Sequence, residues 1–166
     1  MRGYGKMVPM SEPKWLSPIE REAWLALLSV TTLLPAALDS ELQLQAKITL
    51  FDYNVLAMLS EAEDRTLPMS ELASRTSASL SRLSHVVKKL EARGWVERSR
   101  SESDARVTIA RLTAAGWEMI EHVAPEHVAS VRQFIFDGLD ESDVAELARI
   151  GRKLTSQLDP EHWIFR

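Results

Sequence analysis

Ser81, Arg82, Ser84, His85, Lys88 and Lys89 fall within nine residues, every one can donate a hydrogen bond, and no acid stands among them. At about 100° per residue they share one side of a helix predicted from Ser79 to Arg93, while Leu83, Val86, Val87 and Leu90 occupy the opposite third. Such a face suits binding to a polyanion. Small hydroxyls at Ser79, Ser81 and Ser84 permit close approach, Arg82 and His85 can reach base edges, and Lys88 and Lys89 can neutralise phosphates. An ordinary solvated helix face carries both signs of charge. Further along, Arg100, Asp104 and Arg106 flank or occupy a stretch of turn composition, Ser101 to Arg106. An arginine at a hairpin tip can enter a narrow minor groove. Asp104 beside it has two readings: it holds Arg106 through a charge-assisted hydrogen bond, or it is a plain turn residue.

The charge distribution agrees with that chemistry. The 166-residue chain has a net formal charge of −4, yet from Arg75 to Arg111 nine Arg or Lys face four acids. Positive charge is gathered in under a quarter of the length, where counterion release from a phosphate backbone would favour binding. Absence of cysteine excludes disulfides, thiolate metal sites and thiol-based sensing, and fits a cytoplasmic protein. The longest uncharged run, Ala23 to Leu38, has 16 residues. That is short of the roughly 20 that span a bilayer, so no transmembrane helix and no membrane partner are expected. Arg2 and Lys6 are followed by Pro9, Ser11, Glu12 and Pro13 where a signal peptide needs an apolar run. Residues 1–16 are expected to form a flexible tail.

The elements that must position these residues are mostly helical. Ser17-Pro18-Ile19-Glu20 is a capping box with proline at the first helical position, predicting a helix to about Gln45 that Pro35 kinks or breaks. Its apolar residues, among them Trp24, Leu25, Leu27, Leu28, Val30, Leu33, Leu34 and Leu38, occupy more than one face, and a partner subunit is the economical cover. Phe51 to Leu59 reads as a second helix, and a short one is expected from Ser70 as N-cap to Thr76-Ser77. With the helix from Ser79 it forms a helix-turn-helix. After Gly94, Trp95–Arg100 and Val107–Leu112 read as strands of a β-hairpin wing. Thr113 caps a helix that Pro125 should bend, with Val128, Val131, Phe134 and Ile135 on its second half. Asp140 and Asp143 start a last helix, and Trp163-Ile164-Phe165 ends the chain in an apolar hook over 159–166.

Five segments in order resemble the multiple antibiotic resistance regulator (MarR) family: Ser70-Glu-Leu-Ala73, Ser81-Arg-Leu-Ser84, Leu90-Glu-Ala-Arg-Gly94-Trp-Val-Glu-Arg98, Asp104-Ala-Arg106 and Leu112-Thr-Ala-Ala-Gly116. The similarity runs from about Ser17 to Leu158, and Ala124-Pro-Glu-His-Val128 is similar to an actinobacterial-type subgroup. The resemblance implies a mainly α fold with a small β-hairpin wing: a single domain over 17–158, with a winged helix-turn-helix lobe at 50–112 and a dimerisation layer built from helices at 17–48 and 113–158. It further implies a homodimer that reads a roughly palindromic operator as a transcription regulator, most simply a repressor. Arg82 and His85 are then readers of bases or backbone, and Arg106 is the wing-tip residue supported by Asp104. Ala105 departs from the family, where a second arginine is frequent, which bears on the minor-groove contact rather than the fold.

Family members often respond to small aromatic ligands. Trp24, Phe51 and Trp117 are candidates for lining such a pocket, with ordinary core as the competing reading. No cofactor is expected. His122 and His127 are five apart, where helical metal pairs need a spacing of three or four, so no metal site is assigned. No glycine-rich phosphate loop or nucleophile elbow is present and no enzyme is expected. The alternative function is a winged-helix protein-interaction module without specific DNA binding.

Overall fold

The computed structural model describes residues 13–166 with the exception of Glu102. The expected tail and the segment weighed as a signal peptide therefore lie largely outside the described residues; within them, 13–16 are exposed and non-helical. The chain divides into two compact units, the first ending at Leu33 and the second running from Leu34 to Arg166.

In the first unit, the backbone N–H of Ser17 donates to Glu20 Oε2 at 2.7 Å and that of Glu20 to Ser17 Oγ at 3.3 Å, the capping box expected at the start of α1 (Pro18–Ala46). Every residue from Pro18 to Leu33 is exposed, including Trp24, Leu25, Leu27, Leu28, Val30 and Leu33. The helix runs on through Pro35 without a break. Proline removes the partner of the Thr31 carbonyl four residues earlier. Just before it, the hydroxyls of Ser29, Thr31 and Thr32 donate back to the carbonyls of Leu25, Leu27 and Leu28 at 2.8–2.9 Å. Over its 29 residues α1 meets the length and composition of a membrane-crossing helix, contrary to expectation. Its uncharged run is nevertheless 16 residues, bounded by Glu22 and Asp39, and the same composition suits a helix that presents apolar surface to other protein.

The second unit opens with the end of α1, where Leu38 and Leu42 are buried. Thr49 and Asp52 form a reciprocal capping box that starts α2 (Leu50–Ser60), which buries Tyr53, Val55, Leu56 and Leu59. A short turn at 63–65 leads into β1 (Thr66–Pro68), then α3 (Met69–Arg75) and α4 (Leu80–Ala92). Strands β2 (Val96–Arg100) and β3 (Thr108–Leu112) form the wing hairpin. The sheet has three antiparallel strands in the order β1-β3-β2, pairing Leu67 with Ala110 and Val96 with Leu112. Those four side chains are buried, the alternation of the pleat placing them on the core side. They join Leu83, Val87 and Leu90 of α4 and Ile120 and Val123 of α5 (Ala114–Val131) in one hydrophobic core.

Three expectations are corrected. Strand β1 was not anticipated, because three residues ending in proline are too short to show a period-two pattern, and Pro68 is tolerated at a strand end on the sheet edge. In consequence α3 begins at Met69 after Pro68, with no side-chain cap, and Ser70 lies in its first turn rather than at its N-cap. Helix α5 continues through Pro125 to Val131, and Phe134 and Ile135 fall in a π-helical turn at Arg132–Phe136. The expected box of Asp140 and Asp143 does start α6 (Glu141–Leu158), and the chain ends in a 3-10 turn at Trp163–Phe165, where Arg166 meets Glu71 of α3 at 3.4 Å.

Two contacts make the packing testable. A Cβ added to Gly116 would stand 2.1 Å from the Trp95 carbonyl oxygen, so Gly116→Ala should destabilise the fold by about 1–3 kcal/mol, read as a lower urea midpoint. Across α2 and α5, the His127 ring packs tilted at 43° against Tyr53 with centroids 4.1 Å apart, and burial holds its imidazole below the ordinary value of 6.5. The unfolded chain then takes up that proton more readily than the folded one, and stability falls as pH drops through 6.5. His127→Gln should shrink the difference in urea midpoint between about pH 7.5 and about pH 5.5; an unchanged difference would remove His127 from the pH response.

Candidate nucleic-acid interface

Helix α4 is positioned from both ends. The Ser79 side chain accepts from the Arg82 N–H at 3.2 Å, and α3 and α4 are joined by a short turn in which Ser77 has φ 49° and the Ala78 N–H donates to the Ala73 carbonyl. At its far end Arg93 terminates the helix and Gly94, at φ 74°, reverses the chain into β2. Burial of Leu83, Val87 and Leu90 fixes which side turns outward. That side exposes Ser81, Arg82, His85, Lys88 and Lys89, with Ser84 half-buried. No acid lies in the first turn of α4, so its N-terminal N–H groups retain their affinity for an anion.

Not all these cations face outward in the same way. The Arg82 guanidinium lies over the Phe51 ring, 4.1 Å from its centroid. Lys89 Nζ stands 2.5 Å from Oδ2 of Asp52, whose side chain is 1% exposed. Among the described residues no acid pairs with Lys88 or Arg82, whereas Arg75, Lys89, Arg98, Arg106 and Arg111 each have one. Of the residues considered for a ligand pocket, Phe51 lies beneath Arg82, Trp117 beneath Arg65 at 3.8 Å, and Trp24 is exposed on α1.

The wing is tied to α4 at its base. Glu91 accepts from the Arg98 backbone N–H at 3.1 Å and from its Nε at 2.9 Å, a link that sequence reasoning missed. The only available signal was Glu91 seven residues before Arg98 across the turn, which carries no periodicity. At the tip, Arg106 donates to Asp104 through Nε at 3.1 Å, a terminal nitrogen at 3.2 Å and its own backbone N–H at 2.9 Å. Asp104 meets both readings: it accepts from the backbone N–H two residues on, as a turn residue does, and from the Arg106 side chain. The Arg106 side chain is still 92% exposed, so it is aimed without being withdrawn from a ligand. Arg100 donates to the Thr108 hydroxyl at 3.5 Å. Across the three strands, Asp64, Arg65, Glu97 and Arg111 line an open cleft of about 730 Å³.

Such an arrangement can place a donor-rich helix in one groove and an arginine in the next. The MarR family model matches residues 48–108, from just before α2 to the first residue of β3. Over almost the whole chain, the MarR-family transcriptional regulator Sco3205 of Streptomyces coelicolor, solved in complex with DNA, superposes with a TM-score of 0.87 at 39% identity, covering 92% of this chain and 95% of that one. The chain belongs to the MarR family. AbsC, another MarR-family regulator of Streptomyces coelicolor, superposes with a TM-score of 0.85 at 39% identity, covering 90% of this chain and all of its own. The transcriptional repressor MprA of Escherichia coli is 31% identical over 107 residues, 64% of this chain, which spans 60% of the length of MprA. Family and relatives are transcription regulators and not enzymes, and the winged helix-turn-helix predicted from the sequence is the fold observed.

The wing-tip pair of this MarR-family chain gives a direct measurement. Hydrogen bonds from the Arg106 side chain and then its backbone hold the Asp104 carboxyl below its ordinary 3.8. The contact is made while Asp104 is ionised and lost as pH falls through that lowered value. Carboxyl NMR titration of Arg106→Ala should return Asp104 toward 3.8; no movement would mean that the pair does not persist in solution.

Proposed function

We propose that the chain is a sequence-specific double-stranded DNA-binding transcription regulator that acts in the cytoplasm as a homodimeric repressor on a roughly palindromic operator. The observation that carries this reading is the α4 face: Ser81, Arg82, His85 and Lys88 exposed together, donors without an acid among them, with Arg106 presented at the wing tip. The DNA complex of Sco3205 and the repressor role of MprA support it. In this reading Ser79, Ser81 and Ser84 allow close approach, Arg82 and His85 read base edges or backbone, Lys88 meets phosphate, and Arg100 and Arg106 serve the wing.

A second copy of the chain is the proposed cover for the apolar surface of α1 and α6. Trp24, Leu25, Leu28 and Leu33 of α1 are exposed, as are Leu147, Ile150 and Leu154 of α6, and water contact on that much apolar area favours association. A symmetric pair would set two α4 helices one DNA turn apart, about 34 Å. A small aromatic effector that releases DNA completes the proposal. Insertion beside Phe51 would compete with Arg82 for the ring, coupling ligand entry to a reader of DNA.

Fluorescence anisotropy of the full chain against duplex DNA from upstream of its own gene, at two salt concentrations with a scrambled competitor, tests the reading. Tight binding that survives the competitor is expected, with Arg82→Ala and Arg106→Ala each weakening it roughly tenfold or more. Lys88→Ala should reduce the slope of log affinity against log salt by about one. Equal, weak binding to specific and scrambled duplexes would overturn the regulator reading, and a monomer by light scattering at micromolar concentration would overturn the dimer.

A further inference from the structure

We infer that Phe51 and Asp52, in the first turn of α2, are positioning residues for the recognition helix α4, and that Lys89 serves this bracket rather than a DNA phosphate. The inference rests on the DNA-binding reading above and assigns roles within it. Arg82, Lys89 and Arg93 stand seven and four residues apart on one side of α4, and all three engage the segment 47–52. Arg82 lies on the Phe51 ring, Lys89 bonds Asp52, and a terminal nitrogen of Arg93 donates to the Lys47 carbonyl at 3.1 Å. Seven residues of helix span roughly 10 Å, so two of these anchors sit two turns apart. Two points along an axis fix rotation about it as well as tilt. Rotation is what decides where Ser81, His85 and Lys88 point, because hydrogen bonds to base edges lose strength over a few tenths of an ångström.

The chemistry of Asp52 commits Lys89. The carboxylate is almost wholly buried, and its Oδ2 accepts from the Thr49 N–H at 2.9 Å and from Lys89, while Oδ1 has no partner. If Lys89 left for a phosphate, a buried carboxylate would remain without its cation, which is far more costly than losing an exposed contact. The bracket is itself fixed to the end of α1, since the Leu50 N–H donates to Asp39 Oδ1 at 2.7 Å. Asp52 therefore does two jobs with one carboxylate: it completes the α2 capping box and holds α4. Phe51 beside it limits the directions open to the Arg82 guanidinium.

The experiment uses the full-length protein and a duplex that the wild type selects from a random-sequence pool, with a scrambled duplex as control, in anisotropy titrations across a salt series. Asp52→Asn keeps the shape and removes the charge; the double variant Asp52→Asn with Lys89→Met leaves no uncompensated charge; Phe51→Leu removes only the ring beneath Arg82. Variants are compared at a temperature where circular dichroism shows each folded. Expected are losses on the order of tenfold for the selected duplex in all three, little change for the scrambled one, an unaltered salt slope, and a double variant no worse than Asp52→Asn. Wild-type affinity in Asp52→Asn would overturn the inference. So would tighter binding with a steeper slope, which a freed Lys89 would cause, or a slope lower by about one in the double variant. If the wild type selects no duplex at all, the DNA-binding reading fails and the inference falls with it; if it selects one and the variants still discriminate, only the inference fails.

Discussion

Helix α4 must satisfy two surfaces at once with thirteen residues, and the rest of the fold is arranged around that demand. Its apolar side, Leu83, Val87 and Leu90, is removed from water completely, against a core drawn from α2, α3, the sheet and α5. Burying three aliphatic side chains contributes several kcal/mol, at roughly 1.5–3 kcal/mol each. That sum turns the apolar side inward and leaves the outward side free for polar residues. A change that loosened the core on one side would turn the donor face with it.

Charge is handled by the same economy. An unrelieved row of cations would repel itself, and many of the basic residues between Arg75 and Arg111 are balanced by an acid of the same lobe. The pairings differ in what they leave available. Arg98 is held by Glu91 and Lys89 by buried Asp52, so these cations join elements together. Arg106 is gripped by Asp104 yet almost wholly exposed, so that pair directs a side chain instead of retiring it. Lys88, without an acidic partner among the described residues, keeps its charge for solvent or phosphate.

The two ends of the chain show the opposite balance. From Pro18 to Leu33 no residue is buried, and α6 likewise buries none, though both expose large apolar side chains. Such helices lack cover in a single chain, and each opens on a reciprocal capping box. Residues in the second unit mark where this exposed character ends: Leu38 and Leu42, one turn apart on α1, are buried.

Much of this was legible beforehand because it rests on local signals. Caps at Ser17, Thr113 and Asp140, the start near Ser79, the stop at Gly94, the apolar third of α4 and the turn at 101–106 each act within a few residues, and the helices and hairpin they predict are present. What stayed hidden depends on partners distant in sequence. Strand β1 pairs with β3, more than forty residues further along the chain. Arg82 and Lys89 looked alike with His85 and Lys88 on a helical wheel, and only the approach of Phe51 and Asp52, more than thirty residues earlier, separates them. The sequence by itself determined which side of α4 is apolar and where α1, α4, α5 and α6 begin, because backbone geometry and capping are local. Tertiary structure decided which cations are spent on the protein and which remain for a ligand, because electrostatic pairing depends on distance in space.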